Sequence, residues 1–445
     1  MSLLSSDLFQ SLLSFVIKLL AGFASYFLFA YSSNTLGAVE FGVFSFYFSI
    51  VMLVASFFSF GQQTFLMKEI PSALLSNDLP SEKAVYKFSS AMTIAGALLG
   101  AVTFFVIVMI VDDKAQGVAL WGAVLTGLFC ISQATIGALR VQGYALLAVA
   151  SRDLLWRVLT IVVVFLSVIY FTLVLASSEL LLLFSLSLLP VLCLHFYIIF
   201  KALVSRYNEK SVSLRWKSWG GASFGFGLIA LISSADIYAY TIVLKYLLPV
   251  EVVGGFFAAL KTVELLNIFL MAVTLVLAPY FSTLISEKNY VGLQRKCNVA
   301  LVLQGTPAVF SCVLVLFFAP NFLGFFSAEY EVYSSLLRLL TIGMLVNALT
   351  GATVLLLQLG GMHWRHVVYQ GSSLLISIAL LPVFVHYFGF NGAALSFILS
   401  KVLWNLLAIL SIKSKLQVDP SIFAFFSQKS RYFDVLVSDL LAVKK

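Results

Sequence analysis

Leu36-Gly37-Ala38-Val39-Glu40-Phe41-Gly42-Val43-Phe44 and Leu247-Leu248-Pro249-Val250-Glu251-Val252-Val253-Gly254-Gly255-Phe256 carry one pattern twice. Both read Leu-x-x-Val-Glu, then glycine, then phenylalanine, and the two glutamates stand 211 residues apart. A weaker echo links Gln142-Gly143 to Gln358-x-Gly360, at an offset near 216. Each copy of the first motif is a short turn between two long apolar segments. Two matches at nearly one offset predict two related halves, residues 1–210 and 211–412.

The segments around these turns are membrane-like. Of 445 residues, 61% are hydrophobic and 10% charged, and the mean hydropathy is +1.05. Soluble chains are about 45–50% apolar and about 25% charged. So few charges cannot cover the surface of a soluble enzyme of this size. Disorder is excluded because it needs low hydrophobicity and high charge. Apolar runs bounded by polar or Gly/Pro breaks predict twelve spans. They fall near 11–32, 42–66, 87–111, 117–138, 154–175, 180–203, 221–246, 252–285, 298–319, 333–357, 366–388 and 390–411. The eighth is too long for one straight span, so either Pro279 bends it or its first part lies along a cavity. Six spans per half is an even number, so each half enters and leaves on one side. The halves are then parallel repeats, a geometry that transporters use around a central site. The expected fold is all-α, a polytopic membrane protein of about 12 transmembrane helices in two six-helix lobes around a central cavity.

Loop charges test this count. With the N-terminus inside, twenty-one Lys and Arg residues fall in inner loops and the tail, among them Lys68, Arg140, Arg152, Lys201, Arg215, Lys296 and Lys415. The outer loops hold only Lys114 and Lys245. Cytoplasmic loops carry the Lys/Arg excess, so both termini are expected on the cytoplasmic face. The net charge of +8 is then a topology signal facing anionic membrane lipids, with no nucleic-acid partner implied. In the tail, 413–445, Phe433, Leu436, Val437, Leu440 and Leu441 follow helical spacing. They predict a short amphipathic helix lying on the inner membrane face. The N-terminal apolar run has no preceding Lys or Arg and no cleavage site, and reads as a retained helix. Cys130, Cys193, Cys297 and Cys312 have no motif spacing, so neither a disulfide framework nor a metal site is expected. No cofactor is expected.

Six charges remain inside the spans: Lys18, Lys261, Arg338 and Lys401, with Asp236 and Glu264. Each costs roughly 2.5–3.5 kcal/mol at mid-bilayer, and six facing lipid would cost about 15–20 kcal/mol. That exceeds the stability of an ordinary protein. Lys18 and Arg338 lie near enough to span ends to snorkel. Lys401 stands eleven residues into its span and cannot reach either surface. Lys261 and Glu264, three apart on one helix face, can pair with each other. Converging on a wet lumen, the six sum to +2, which attracts an anionic group, and lysine suits phosphate. On this reading Lys18, Lys261, Arg338 and Lys401 bind substrate. Asp236, and less so Glu264, are candidates for a coupling ion. Gly96/Gly100 and Gly221/Gly225 are small-xxx-small pairs suited to helix contact. Pro190, Pro279, Pro307 and Pro382 are expected to kink their spans.

Several stretches together resemble one family. They are Leu36-Gly37 through Glu40-Phe41-Gly42-Val43-Phe44-Ser45, then Gly61-Gln62-Gln63-Thr64-Phe65-Leu66-Met67-Lys68-Glu69-Ile70. Further on come Asp236 with Lys245, Glu251 and Gly254, then Ala278-Pro279-Tyr280-Phe281 before a basic loop. Last are Phe325-Phe326 leading to Tyr330, and Gly389-x-Asn391-Gly392-Ala393-Ala394-Leu395. In order and spacing they resemble the polysaccharide-transporter branch of the multidrug/oligosaccharidyl-lipid/polysaccharide exporter superfamily. The resemblance implies a flippase of the bacterial inner membrane. Its substrate would be an isoprenoid-pyrophosphate-linked oligosaccharide, such as an O-antigen or capsule repeat unit. It implies alternating access, coupling to a proton or sodium ion, and a polysaccharide polymerase as a further partner. The family has no universal site motif to carry over. Two other readings stay open. One is a drug or metabolite exporter of the same superfamily. The other is a multispan polysaccharide polymerase or ligase, weakened because the longest outer loop, about 320–332, is short and its Glu329 and Glu331 have no Arg or His nearby.

Overall fold

A computed structural model describes residues 2–75, 79–171, 175–204, 215–265 and 267–427. Among the described residues there is no strand, and eleven helices are long and apolar enough to cross a membrane. The amphipathic tail segment expected at 433–441 lies outside the described residues. The chain forms two compact units. The first holds Leu12–Lys261 and Leu323–Tyr330, and the second holds Thr262–Phe322 and the chain from Glu331 on.

The first unit is built from α1 (Ser2–Leu36), α2 (Ala38–Phe58), α3 (Gln62–Leu75), α4 (Leu79–Val111) and α5 (Gln116–Val141). After a sharp turn come α6 (Ala145–Val149), a π-helical turn at Ala150–Leu155, α7 (Trp156–Phe171), α8 (Ser177–Val204), α9 (Trp216–Leu244) and α10 (Val250–Glu264). α5 is its axis, packed against α2, α3, α4 and α8. Its buried positions are mostly small, including Gly122, Ala123, Thr126, Ala134, Gly137 and Ala138, which lets neighbouring backbones approach. α4 turns Leu98, Val102 and Ile110 outward, more than half exposed. Such a face suits hydrocarbon, where only helices and closed barrels satisfy their own backbone.

The second unit contains α11 (Asn267–Ser286), most of α12 (Tyr290–Gly324), α13 (Ser334–Leu349), α14 (Thr353–Leu359), α15 (His363–Phe388), α16 (Asn391–Leu416) and α17 (Ile422–Ser427), and the 3-10 turn at Ala328–Tyr333 belongs to the first unit up to Tyr330. The long eighth apolar segment is divided, as its length requires, but not at Pro279. The helix ends after Glu264, where Leu265 N–H tightens onto the carbonyl of Thr262 at 3.3 Å. Pro279 lies inside α11.

The repeated turn motifs meet. Inside the first unit the added methyl of an alanine at Gly42 would stand on the carbonyl of Val250. One at Gly254 would stand on the Tyr330 hydroxyl, 3.2 Å from Gly42 Cα. α2 and α10 therefore cross backbone to backbone at the glycines of the two motif copies. Tyr330 caps the crossing by donating to the Ala38 carbonyl at 3.0 Å. Asn34 Nδ2 donates to the Phe325 carbonyl beside it, at 2.6 Å. Glu40 of the first copy accepts from Ser177 N–H at 3.0 Å, at the start of α8.

The weaker echo is also structural, shifted by two residues. α5 ends with Gly143 at φ 89°, its N–H on the Arg140 carbonyl and Tyr144 N–H on the Leu139 carbonyl. α14 ends with Gly361 at φ 69°, its N–H on the Gln358 carbonyl and Met362 N–H on the Leu357 carbonyl. Both are the same left-handed helix stop. The matching glycines are Gly143 and Gly361, because the residue that must take positive φ sets the register.

The two small-residue pairs differ. Gly96 lies so close to α2 that an added methyl would meet the Phe58 carbonyl, and Gly100 faces Phe58 Cβ. Gly221 and Gly225 have no neighbour within 4 Å of an added methyl. Gly42→Ala is therefore expected to lower stability by about 1–3 kcal/mol through overpacking. Gly221→Ala is expected to be neutral or slightly stabilising through helix propensity. Thermal unfolding of the two purified variants in one detergent checks the contrast.

Candidate functional site

α10 is apolar on nearly every side. Val253, Phe256, Phe257, Ala258, Ala259 and Val263 are all buried, so the one lysine among them is buried as well. Lys261 is 5% exposed. Its ammonium lies 5.0 Å from the ring centres of Tyr238 and Phe257 and 5.5 Å from that of Phe29. Phe29 and Phe257 belong to a larger aromatic cluster with Phe44, Phe48 and Phe184. An ammonium over desolvated ring faces gains about 0.5–2 kcal/mol. Asp236 is half-buried on α9, two residues before Tyr238, and Lys18 is half-buried on α1. These three residues lie in the first unit. Glu264, Arg338 and Lys401 lie in the second, where Glu264 is half-buried.

Lys401 is 6% exposed on α16, with its ammonium 4.7 Å from the ring centre of Phe397, one turn earlier on the same face. One turn later comes a polar hub that sequence reading does not single out. Asn405 Nδ2 donates to the Lys401 carbonyl at 2.9 Å and to Asn347 Oδ1 at 3.0 Å. Its Oδ1 accepts from Thr350 at 2.7 Å and from Thr353 at 3.3 Å. All four of its hydrogen-bonding positions are used. The hub exists because the chain is interrupted there. α13 stops at Leu349, Gly351 takes φ 76°, and α14 begins at Thr353. Gln304 Nε2, reaching from α12, donates to the Ala348 carbonyl at 2.9 Å. Interrupted helices inside a membrane are tolerated only where side chains or water re-satisfy the backbone. The available sequence signal was Thr350-Gly351 within an apolar run with Asn347 and Asn405 nearby, four common residues without a motif.

Arg338 has a distinct task. Pro320 in α12 has no N–H, so the carbonyl four residues earlier, Leu316, has no helical donor. α12 bends there, with Phe318 at φ −106°, ψ 17°. Arg338 Nε donates to that freed carbonyl at 3.0 Å. Among the described residues, no group of three His, Cys, Asp or Glu is placed to hold a metal ion.

No family model matches the sequence, and no curated protein matches it as a relative. Solved structures do match. An inward-facing multidrug resistance MATE family transporter of the MOP superfamily superposes with a TM-score of 0.66 at 14% identity, over 92% of this chain and 98% of that one. An outward-facing multidrug resistance MATE family transporter gives 0.62 at 16% identity, over 92% and 95%. A MOP superfamily transporter from Pyrococcus furiosus Vc1 (DSM3638), described as having a binding pocket of reverse polarity that suggests a different function, gives 0.57 at 15%, over 90% and 96%. The chain has the all-α, many-span fold of these proteins.

Replacing Arg338 by leucine keeps the span apolar but strips the Leu316 carbonyl of its donor. The expected cost is about 1–3 kcal/mol, the penalty of a carbonyl left without a donor at membrane level. Thermal unfolding of Arg338→Leu against Arg338→Lys in detergent measures it, with lysine restoring part of the loss.

Proposed function

We propose that this protein is a transporter of the bacterial inner membrane, not an enzyme, with both termini cytoplasmic. Its cargo on this reading is an isoprenoid-pyrophosphate-linked oligosaccharide. The observation that carries the reading is that two lysines, Lys261 and Lys401, lie deep in membrane-level helices and are sheltered by protein instead of lipid. The deep charges sum to a positive excess. An ammonium is a strong point charge for phosphate oxygens, and in a low-dielectric setting it holds an anion more firmly than at a surface. Lys18 adds a third cation on α1. Arg338, committed to the Leu316 carbonyl, is the least available of the four. Asp236 and Glu264 supply the acidic positions for a coupling proton or sodium ion. The fold supports a transporter, and the Lys/Arg bias of the predicted inner loops supports the orientation.

A second reading has its own support. The similar structures are multidrug resistance transporters, so export of a drug or metabolite fits the same fold. The lysines favour an anionic cargo over the cationic drugs that an acidic pocket would take.

Purified protein in proteoliposomes separates the two. With a fluorescent lipid-linked oligosaccharide, wild-type protein should flip label between leaflets, Lys401→Ala should fall at least about tenfold, and Lys401→Arg should retain part of the rate. Efflux of a cationic dye without any lipid flipping would favour the drug exporter. Wild-type flipping by Lys401→Ala would remove that residue from the mechanism. If Asp236 carries the coupling proton, Asp236→Asn should make the flipping rate independent of an imposed pH gradient.

A further inference from the structure

His195 is a fully buried imidazole on α8, held at both nitrogens. Nδ1 lies 2.9 Å from Thr135 Oγ1 on α5, and Nε2 lies 2.6 Å from Ser151 Oγ in the π-helical turn. Each hydroxyl also reaches a backbone carbonyl, Thr135 to Ser132 at 2.9 Å and Ser151 to Leu147 at 2.6 Å. These are four heavy-atom contacts in one chain. A neutral imidazole brings one hydrogen and the two hydroxyls bring one each, so three hydrogens serve four contacts. An imidazolium brings a fourth hydrogen and completes the chain.

The Asn405 hub of the second unit also ties hydroxyls to a side chain on another helix, but there two N–H groups and a carbonyl oxygen are all matched with no mobile proton.

We propose that Thr135, His195 and Ser151 form a proton-binding site in the first unit. In the neutral state one hydroxyl hydrogen, that of Thr135 or of Ser151 according to the tautomer, must serve both a ring nitrogen and a backbone carbonyl. Thr135 lines a cavity of about 300 Å³ whose wall is mostly apolar, including Ile94, Ile131 and Phe196, with Ser89, Ser90 and Thr93 among its polar members. Protonation of the ring supplies the missing hydrogen: both nitrogens then donate to the hydroxyls and both hydroxyls donate to their carbonyls. One proton is gained and no bond is left open. The charged and titratable groups on the packed elements are Cys130 and Arg140 on α5, Arg152 and Asp153 in the π turn, Arg157 and Tyr170 on α7, Glu82, Lys83, Tyr86 and Lys87 on α4, Glu40 and Tyr47 on α2, and Glu179, Cys193, Tyr197 and Lys201 on α8. Arg152 is held by Asp153 at 3.5 Å, with its guanidinium 6.0 Å from the Phe129 ring centre. The site goes beyond the cargo reading and does not depend on which solute is carried.

The test uses full-length protein in nanodiscs, labelled with ¹⁵N-histidine, with no substrate present. The chain has four histidines, and His195→Gln identifies which imidazole signals belong to the site. As the pH is lowered, the His195 signals are expected to pass from a singly to a doubly protonated ring. Thr135→Val removes the Nδ1 partner and should displace that midpoint by about one pH unit. A His195 imidazole that keeps one protonation state throughout overturns the site, and a titration unchanged in Thr135→Val overturns the part given to Thr135. If His195→Gln does not fold, Thr135→Val and Ser151→Ala, which perturb the same signals, make the assignment. Because no cargo is used, failure of lipid flipping leaves this result standing.

Discussion

Everything polar inside a membrane must be satisfied from within the protein, and that constraint shapes each unit. Backbone groups are cared for by helices. Where a helix is interrupted, another side chain takes over the freed group. Gln304 takes the Ala348 carbonyl at the α13–α14 break. Arg338 takes the Leu316 carbonyl below Pro320. Asn405 ties the two threonines of the break to Asn347. The long polar side chains inside the spans have structural duties alongside any contact with a solute.

Deep lysines obey the same rule. Lys261 and Lys401 are each placed over aromatic faces. An aromatic face offers a cation a weak attraction in addition to its other contacts.

Much of the fold was legible because hydrophobicity over about 20 residues is a strong signal. The turn motifs at Glu40 and Glu251 marked a repeat whose glycines prove to be the crossing of α2 and α10. Other features gave weaker signals. Pro279 suggested a bend, whereas α10 ends at Glu264 and Pro279 lies inside α11. Gly221 and Gly225 have the spacing of a contact pair but no helix against them, since spacing does not say which face is partnered. The Asn405 hub and the His195 chain were invisible. Each is assembled from single Asn, Thr, Ser and His residues on separate helices, and the π turn that carries Ser151 has no compositional mark. The charged residues were found by counting, but their surroundings depend on rotamers and helix facing that a linear pattern does not contain.

The crossing at Gly42 and Gly254 has a mechanical meaning. At the glycines the two backbones touch directly, so no rotamer is frozen at that point, while beside it Phe41 and Phe48 of α2 engage Phe257 of α10. The joint is keyed by these rings, with the Tyr330 hydroxyl as a pin across it.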